Sequence, residues 1–351
     1  MFDKTMKVAL IHIRYVYKGG LETRLFNYIE YFLSRGDEVH LFTSKIAPEI
    51  VPPKHLHIHL IDLKHFLKPV RNFFFDKRLK KELNRDDFDF ILSLERTSHQ
   101  NHVIAPSTHQ GYLEAKGKRF YDLVDFLQLY LDKKAFRSAK VIYACSQMVK
   151  NEIISYYKIP PDDIKVLYPP INLKQFQGKN QLTAFKLKHK LQEEDKLFLL
   201  VSTSHKRKGL DLLVKVFKSL PSNYKLLVAG TAFESTNPQI ISLGFVKEMA
   251  EVYEVAHVLL HPAVYEPFGQ IITEAFAAHV PVIVSSKVGA KELISPERGL
   301  VLGSLSPELW KEAILNLNME TFSFEGIDEL LADLALDSHM KKMLNWAILK
   351  K

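Results

Sequence analysis

The stretch YEPFGQIITEAFAAHVPVIVSS, residues 265–286, places Glu266 and Glu274 eight positions apart around a Pro-Phe-Gly turn. Pro267 disfavours helical geometry at the residue before it, so Glu266 belongs to a loop and a helix starts near Phe268 or Gly269. The first amides of such a helix, at Phe268, Gly269 and Gln270, lie at the positive end of its dipole and form an anion site. A glycine there lets a phosphate come close. One turn on, Glu274 shares a face with Gln270, roughly 6 Å further along the axis at ~1.5 Å per residue, within reach of a ribose joined to that phosphate. Ile271, Ile272, Ala275 and Phe276 form the opposite, apolar face. Read singly, either glutamate is as well explained as a solvated or helix-terminal carboxylate. The combination with Phe268-Gly269 between two strand-like runs points to a ligand.

Those runs set the fold. KVALIHI (7–13), EVHLFTS (38–44), FDFILSL (88–94) and KVIYACS (140–146) are short and β-rich. Between them lie segments with helical spacing, such as Leu21, Leu25, Tyr28, Ile29, Phe32 and Leu33, an alternation that predicts parallel βα units. The pattern repeats in KLFLLVS (196–202), YKLLVAG (224–230), HVLLHPA (257–263) and PVIVSS (281–286), with helices expected near 209–219, 247–255 and 269–279. KVLYPPINLKQFQGKN (165–180) contains Pro169-Pro170 and reads as a linker. The expected organisation is an N-terminal domain over 1–168, a C-terminal domain over 169–325, and one long amphipathic helix over 326–351 that packs back on the first domain.

A second element points to the same ligand as the two glutamates. STSHKRKGLDLLV (202–214) follows the first strand of the second domain, and its Arg207 and Lys208 suit a diphosphate. Alone, a KRKG run is a common basic surface turn.

EPFGQIITE, RKGLDLLV, LGF (243–245) and GGLETRLFNYIEYFLSRGDEV (19–39) together resemble the retaining glycosyltransferases of family 4, over nearly the whole chain. The resemblance implies the α/β GT-B fold, two Rossmann-like doubly wound domains with an interdomain cleft. It also implies a nucleotide-sugar donor (UDP or GDP) held mostly by the second domain, a saccharide acceptor held by the first, retention at the anomeric carbon, and no metal or other cofactor. Carried over, Glu274 binds the ribose hydroxyls, Arg207 and Lys208 the diphosphate, and Glu266 the donor sugar near its reacting carbon. Phe268, Gly269 and Gln270 face the sugar and phosphates, and Gly19 and Gly20 let backbone approach the phosphates from the first domain. His109, in STHQGY, is the cleft residue expected to meet donor sugar or acceptor, with a surface histidine as the alternative. Ser202 stands where many members have an arginine, and the segment from Gly230 to Leu243 is short. These departures make the chain most similar to bacterial lipopolysaccharide-core hexosyltransferases, with glucose or mannose as the expected hexose.

Composition fits this reading and narrows the rest. The chain of 351 residues is 47% hydrophobic and 25% charged, ordinary globular values. The start reads as a buried strand rather than a secretion signal, which makes the expected location cytoplasmic, with peripheral attachment to the inner membrane face. The one cysteine, Cys145, reads as a small buried thiol. Of the net +8, most lies in residues 1–170, where 27 Lys and Arg face 20 Asp and Glu, so the first half is expected to meet an anionic partner. In residues 63–85, basic side chains alternate with Phe66, Phe73, Phe74 and Phe75; this suits an anionic membrane carrying a lipid-linked acceptor, or a basic helix with its aromatics in the core. No nucleic-acid recognition motif accompanies it. His99, His102 and His109 lack the carboxylate or cysteine company of a metal site, and no metal is expected. Other readings are a different enzyme on the same scaffold, an epimerase or phosphorylase, or a basic, membrane-associated binding module without catalysis.

Overall fold

The computed structural model describes residues 5–17, 19–176 and 182–349. The chain divides into one unit made of residues 1–170 and 339–351 and a second of residues 171–338, so the first boundary falls two residues beyond the expected one. The last four positions of the expected linker, 177–180, lie outside the described residues.

The first unit carries a parallel sheet of seven strands in the order β3-β2-β1-β4-β5-β6-β7. These are β1 Lys7–Ile11, β2 Glu38–Thr43, β3 Leu56–Leu60, β4 Phe90–Ser93, β5 His102–Ala105, β6 Val141–Ala144 and β7 Ile164–Val166. Its helices are α1 Gly20–Ser34, α2 Arg71–Glu82, α3 His109–Ala115, α4 Leu123–Ser138 and α5 Gln147–Tyr157. The central strands are apolar on both faces because helices cover both sides, as parallel sheets require. β3, β5 and β7 are additions to the expected strands. β3 (LHIHL) is an edge strand whose histidines break the apolar signal, β5 opens on His102 at the end of a polar run, and β7 is only three residues long.

The second unit repeats the plan with six parallel strands in the order β10-β9-β8-β11-β12-β13. They are β8 Lys196–Ser202, β9 Tyr224–Gly230, β10 Ile240–Gly244, β11 Val258–His261, β12 Val282–Ser285 and β13 Gly299–Leu302. The helices are α6 Leu182–Lys188, α7 His205–Lys208, α8 Leu210–Phe217, α9 Met249–Val255, α10 Gln270–Ala277, α11 Pro307–Leu315 and α12 Ile327–Asp333; the last helix, α13 Leu336–Leu349, starts here and belongs to the first unit from His339 onward. Leu213, Val216 and Phe217 of α8 are fully buried against Phe198, Leu200 and Leu226 of the sheet, each worth roughly 1.5–3 kcal/mol of transfer free energy. In both units the strand order reverses at one point, between β1 and β4 and between β8 and β11. Open α/β sheets bind ligands at such points, beyond the carboxyl ends of the strands.

The single C-terminal helix expected over 326–351 is two helices. The break at Leu334–Ala335 has a physical cause: the amide of Ile171 donates to the Leu334 carbonyl at 3.0 Å, and Ile171 bridges Ala335 in parallel fashion. From His339 onward α13 packs in the first unit. His339 meets the Tyr28 hydroxyl at 2.6 Å and the Tyr168 carbonyl at 2.8 Å, and the Tyr143 hydroxyl donates to the Met343 carbonyl. Burial pushes the His339 imidazole down to about 3, so it is a neutral core group.

The aromatics of residues 63–85 face inward more than outward. Phe75 is buried, and Phe66 and Phe74 stack on each other at 3.8 Å against the core beside β1 and β4. His102 is likewise buried, beside Phe90 and Tyr143, and Cys145 is a buried thiol that donates to the Pro106 carbonyl. Among the described residues no helix is long and apolar enough to cross a membrane.

Candidate active site

In the second unit two loops leave adjacent strands at the switch point. The loop after β8 closes into the single turn α7, which carries Arg207 and Lys208, and ends at Gly209. The loop after β11 carries Glu266 and ends at Gly269, the N-cap of α10. Local stereochemistry forces them together. Gly209 has φ +80°, and a β-carbon there would lie 2.1 Å from the Pro262 carbonyl oxygen, so only glycine lets the two loops touch. The Val264 amide then donates to the Arg207 carbonyl at 3.0 Å.

At the junction sits Glu266. Its Oε2 accepts from Arg207 Nη1 at 3.0 Å and from Lys208 Nζ, and lies 3.6 Å from His261 Nε2. Arg207 also donates to the Tyr265 carbonyl at 3.1 Å. Burial by itself would raise the Glu266 carboxyl, but His261, Lys208 and Arg207 outweigh it and hold the group well below the usual carboxylate range. Burial, reinforced by Lys208, pushes His261 down to about 4, which leaves it neutral. Lys208 is itself pushed down by burial, and Glu266 partly restores it. Two cations and one fixed carboxylate thus lie at the carboxyl end of the sheet, with an excess of positive charge.

Gly269 has φ +99°, and a β-carbon on it would come within 2.7 Å of Ile272 and 3.3 Å of Glu266. The helix it caps begins one residue after the position expected for it. Ile272, Ala275 and Phe276 are buried as expected, but the fourth buried position is Thr273, while Ile271 is only half-buried. Glu274 is half-buried and its Oε2 accepts from the Tyr253 hydroxyl of α9 at 2.9 Å. Burial pushes the Glu274 carboxyl up, against the pull of Tyr253 and Lys208. The turn between Glu266 and Gly269 is held from the side by the loop after β12: Glu266 N donates to Lys287 O, Gly289 N to Glu266 O and Ala290 N to Phe268 O, all at 2.8–3.0 Å.

Of the residues singled out in the sequence, Arg207, Lys208 and Glu266 are in direct contact, and Phe268, Gly269, Gln270 and Glu274 lie along the same loop and helix. Gly19, Gly20 and His109 belong to the first unit. Gly19 caps α1 with φ +93° and Gly20 opens it. His109 opens α3, where its amide donates to Asp132 at 2.7 Å and its Nε2 meets Asp125 at 3.0 Å.

Three further groups stand beside residues singled out in the sequence, two in the second unit and one in the first. Tyr253 orients Glu274, and His261, the last residue of β11, backs Glu266. In the first unit His12 follows β1, 3.0 Å from Glu95 and 3.9 Å from Glu22, buried beside the Gly19 turn. Burial lowers the His12 imidazole, but Glu22 and Glu95 overcome that and raise it to about 9, so it is a buried cation at neutral pH. Of these, only His12 had a local signal, near the end of the first strand-like run and a few residues before the glycine pair.

Residues 18–175 match the Glycosyltransferase Family 4 family and residues 183–320 the Glycosyl transferases group 1 family. A probable transglycosylase of Burkholderia thailandensis is 26% identical over 292 residues, 81% of this chain and 79% of that protein. The lipopolysaccharide glucosyltransferase WaaG of Escherichia coli is 22% identical over 313 residues, 83% of each. Among solved structures, Anabaena HepE in complex with UDP and glucose superposes with a TM-score of 0.73 at 14% identity, covering 97% of this chain and 98% of that one. With both halves accounted for by these families and both sheets in doubly wound order, the chain belongs to the GT-B glycosyltransferases of family 4, and it is an enzyme of that class.

Proposed function

We propose that the enzyme moves a hexose, glucose or mannose, from a UDP- or GDP-sugar to a saccharide of the lipopolysaccharide core, with retention at the anomeric carbon. The observation that carries this reading is the meeting of Arg207 and Lys208 with Glu266 beside the N-terminus of α10. As the bond from the sugar's anomeric carbon to the diphosphate oxygen breaks, its electron pair leaves with the diphosphate. The two cations and the helix dipole offset the charge that develops there, without a resident metal. The acceptor hydroxyl oxygen bonds to the same carbon, and its proton passes to the departing phosphate. Glu274 holds the ribose and Glu266 the sugar hydroxyls; no covalent nucleophile is assigned. The relatives support the substrate classes, since one acts as a lipopolysaccharide glucosyltransferase, another as an O-antigen mannosyltransferase, and a structural neighbour holds UDP and glucose.

The acceptor in this reading is lipid-linked, and the enzyme works at the cytoplasmic face of an anionic membrane. Support comes from α4 and the loop before it, together with the basic end of residues 63–85 rather than its aromatics. Phe120, Leu123 and Phe126 are 87%, 70% and 58% exposed. The same helix continues into Lys133, Lys134 and Arg137, which line a pocket of 680 Å³ with Lys80 and Arg85. Apolar groups at one end and cations at the other suit the interface of an anionic bilayer. One experiment tests both parts: transfer from UDP-glucose or GDP-mannose to a lipopolysaccharide-core acceptor carried on vesicles. The product is expected to keep the donor's anomeric configuration by NMR, and turnover to be higher on anionic than on zwitterionic vesicles. An inverted product would refute retention, and equal turnover would refute the membrane assignment.

A further inference from the structure

The first sheet carries a second cluster of ionisable groups, away from the carboxyl ends of the strands. β3 is the edge strand and pairs with β2 in the register His40↔His57 and Phe42↔His59. Because side chains alternate along a strand, Glu38 and His40 of β2 share a face, as do His57 and His59 of β3. The His40 and His57 rings stack with centroids 4.6 Å apart. The ligand atoms of Glu38, His40 and His57 all lie within 4.8 Å of one another. His40 Nε2 meets Glu38 Oε1 at 2.8 Å, and His40 Nδ1 meets His59 Nε2 at 2.8 Å on the other side of the ring.

From this arrangement we propose that Glu38, His40 and His57 form a binding site for a divalent first-row transition metal, Zn²⁺ foremost, that clamps the edge strand β3 to β2. Two imidazoles and one carboxylate are a borderline donor set, which selects Zn²⁺, Ni²⁺, Co²⁺ or Cu²⁺ over Mg²⁺ and Ca²⁺. Water completes the coordination on the open side, where Glu38 and His57 are exposed. His40 binds through Nε2, and its Nδ1–H then donates to His59, the outer partner that ligating histidines characteristically have. Lys7 Nζ now sits 3.0 Å from Glu38 and is half-exposed, so it swings into solvent when the metal arrives. The clamp answers a need of the fold. An edge strand rich in histidine buries little apolar surface and presents an unpaired ladder, and a metal that bridges it to β2 stabilises the folded state by mass action.

The test is a Co²⁺ titration of the untagged full chain, followed by visible d–d absorption, together with thermal melting in the presence of Zn²⁺, of Mg²⁺ and of a chelator. The wild type is expected to bind one equivalent of Co²⁺ and to melt higher with Zn²⁺ but not with Mg²⁺. His57→Ala, at an exposed position that leaves the core intact, should lose the one-equivalent band and the Zn²⁺ shift. His59→Ala should keep the stoichiometry and weaken affinity by about 10- to 100-fold. No d–d band in the wild type, or the same band and midpoint in His57→Ala, would overturn the proposal. Donor binding is read separately and is expected to be the same in His57→Ala as in the wild type.

Discussion

Lys208→Ala is expected to lower kcat/KM for the sugar donor by about 10²- to 10³-fold, the usual loss when one preorganised group that stabilises developing charge is removed. The ammonium is buried and aimed at Glu266, and it is fixed there before any substrate arrives. Its charge therefore needs no reorganisation when the diphosphate departs. Removing one partner of a buried ion pair costs about 3–5 kcal/mol when the other is left bare. Here Glu266 keeps Arg207 at 3.0 Å, so the stability loss should be smaller and the variant should stay folded. Steady-state kinetics with a circular-dichroism melt separate the two effects. Turnover like that of the wild type in a folded Lys208→Ala protein would remove Lys208 from the mechanism.

Gly209→Ala should be the most damaging single-methyl change near the site. A residue other than glycine at φ +80° costs about 1–2 kcal/mol, and relieving the 2.1 Å overlap with the Pro262 carbonyl forces a backbone shift worth about 1–3 kcal/mol more. The shift separates α7 from the loop after β11, so Arg207 and Lys208 lose their register with Glu266 and donor binding falls with stability. Gly326→Ala is the control: its φ is +70°, but nothing lies within 4 Å of the added carbon. Urea denaturation should show the conformational cost alone for Gly326→Ala and a clearly larger loss for Gly209→Ala. Equal losses would mean that contact between the two loops does not hold the site together.

The parts of the site written within a few residues were legible in the sequence. Pro267 ends one conformation and Gly269 permits the next, so the turn, the helix start and the spacing to Glu274 follow from backbone stereochemistry. The alternation of apolar runs and helical spacings showed the doubly wound halves for a similar reason, since burial on both faces leaves a continuous signal. What depended on distant partners was not visible. Tyr253 lies 21 positions before the glutamate it orients, His261 looked like the end of an ordinary strand, and the brace from residues 287–290 consists of backbone bonds that any side chains would permit. The three-residue β7 fell below the length at which a pattern shows, β5 was hidden between polar residues although it is as long as β4 and β6, and the histidines of β3 masked its apolar signal. At the C-terminus the apolar pattern ran on through Leu334, and only the crossing of Ile171 explains why the helix stops there.

The central claim is that the α10 region of the second unit holds a nucleotide sugar, with Glu274 on the ribose. The most direct measurement is thermal stabilisation by a panel of UDP-, GDP- and ADP-sugars, on the wild type and on Glu274→Ala, because a ligand that binds only the folded state must raise its melting temperature. One nucleotide class is expected to stabilise the wild type, and Glu274→Ala, still folded, to lose that response. A wild type that responds to none of them, or a Glu274→Ala protein that responds as fully as the wild type, would contradict the assignment.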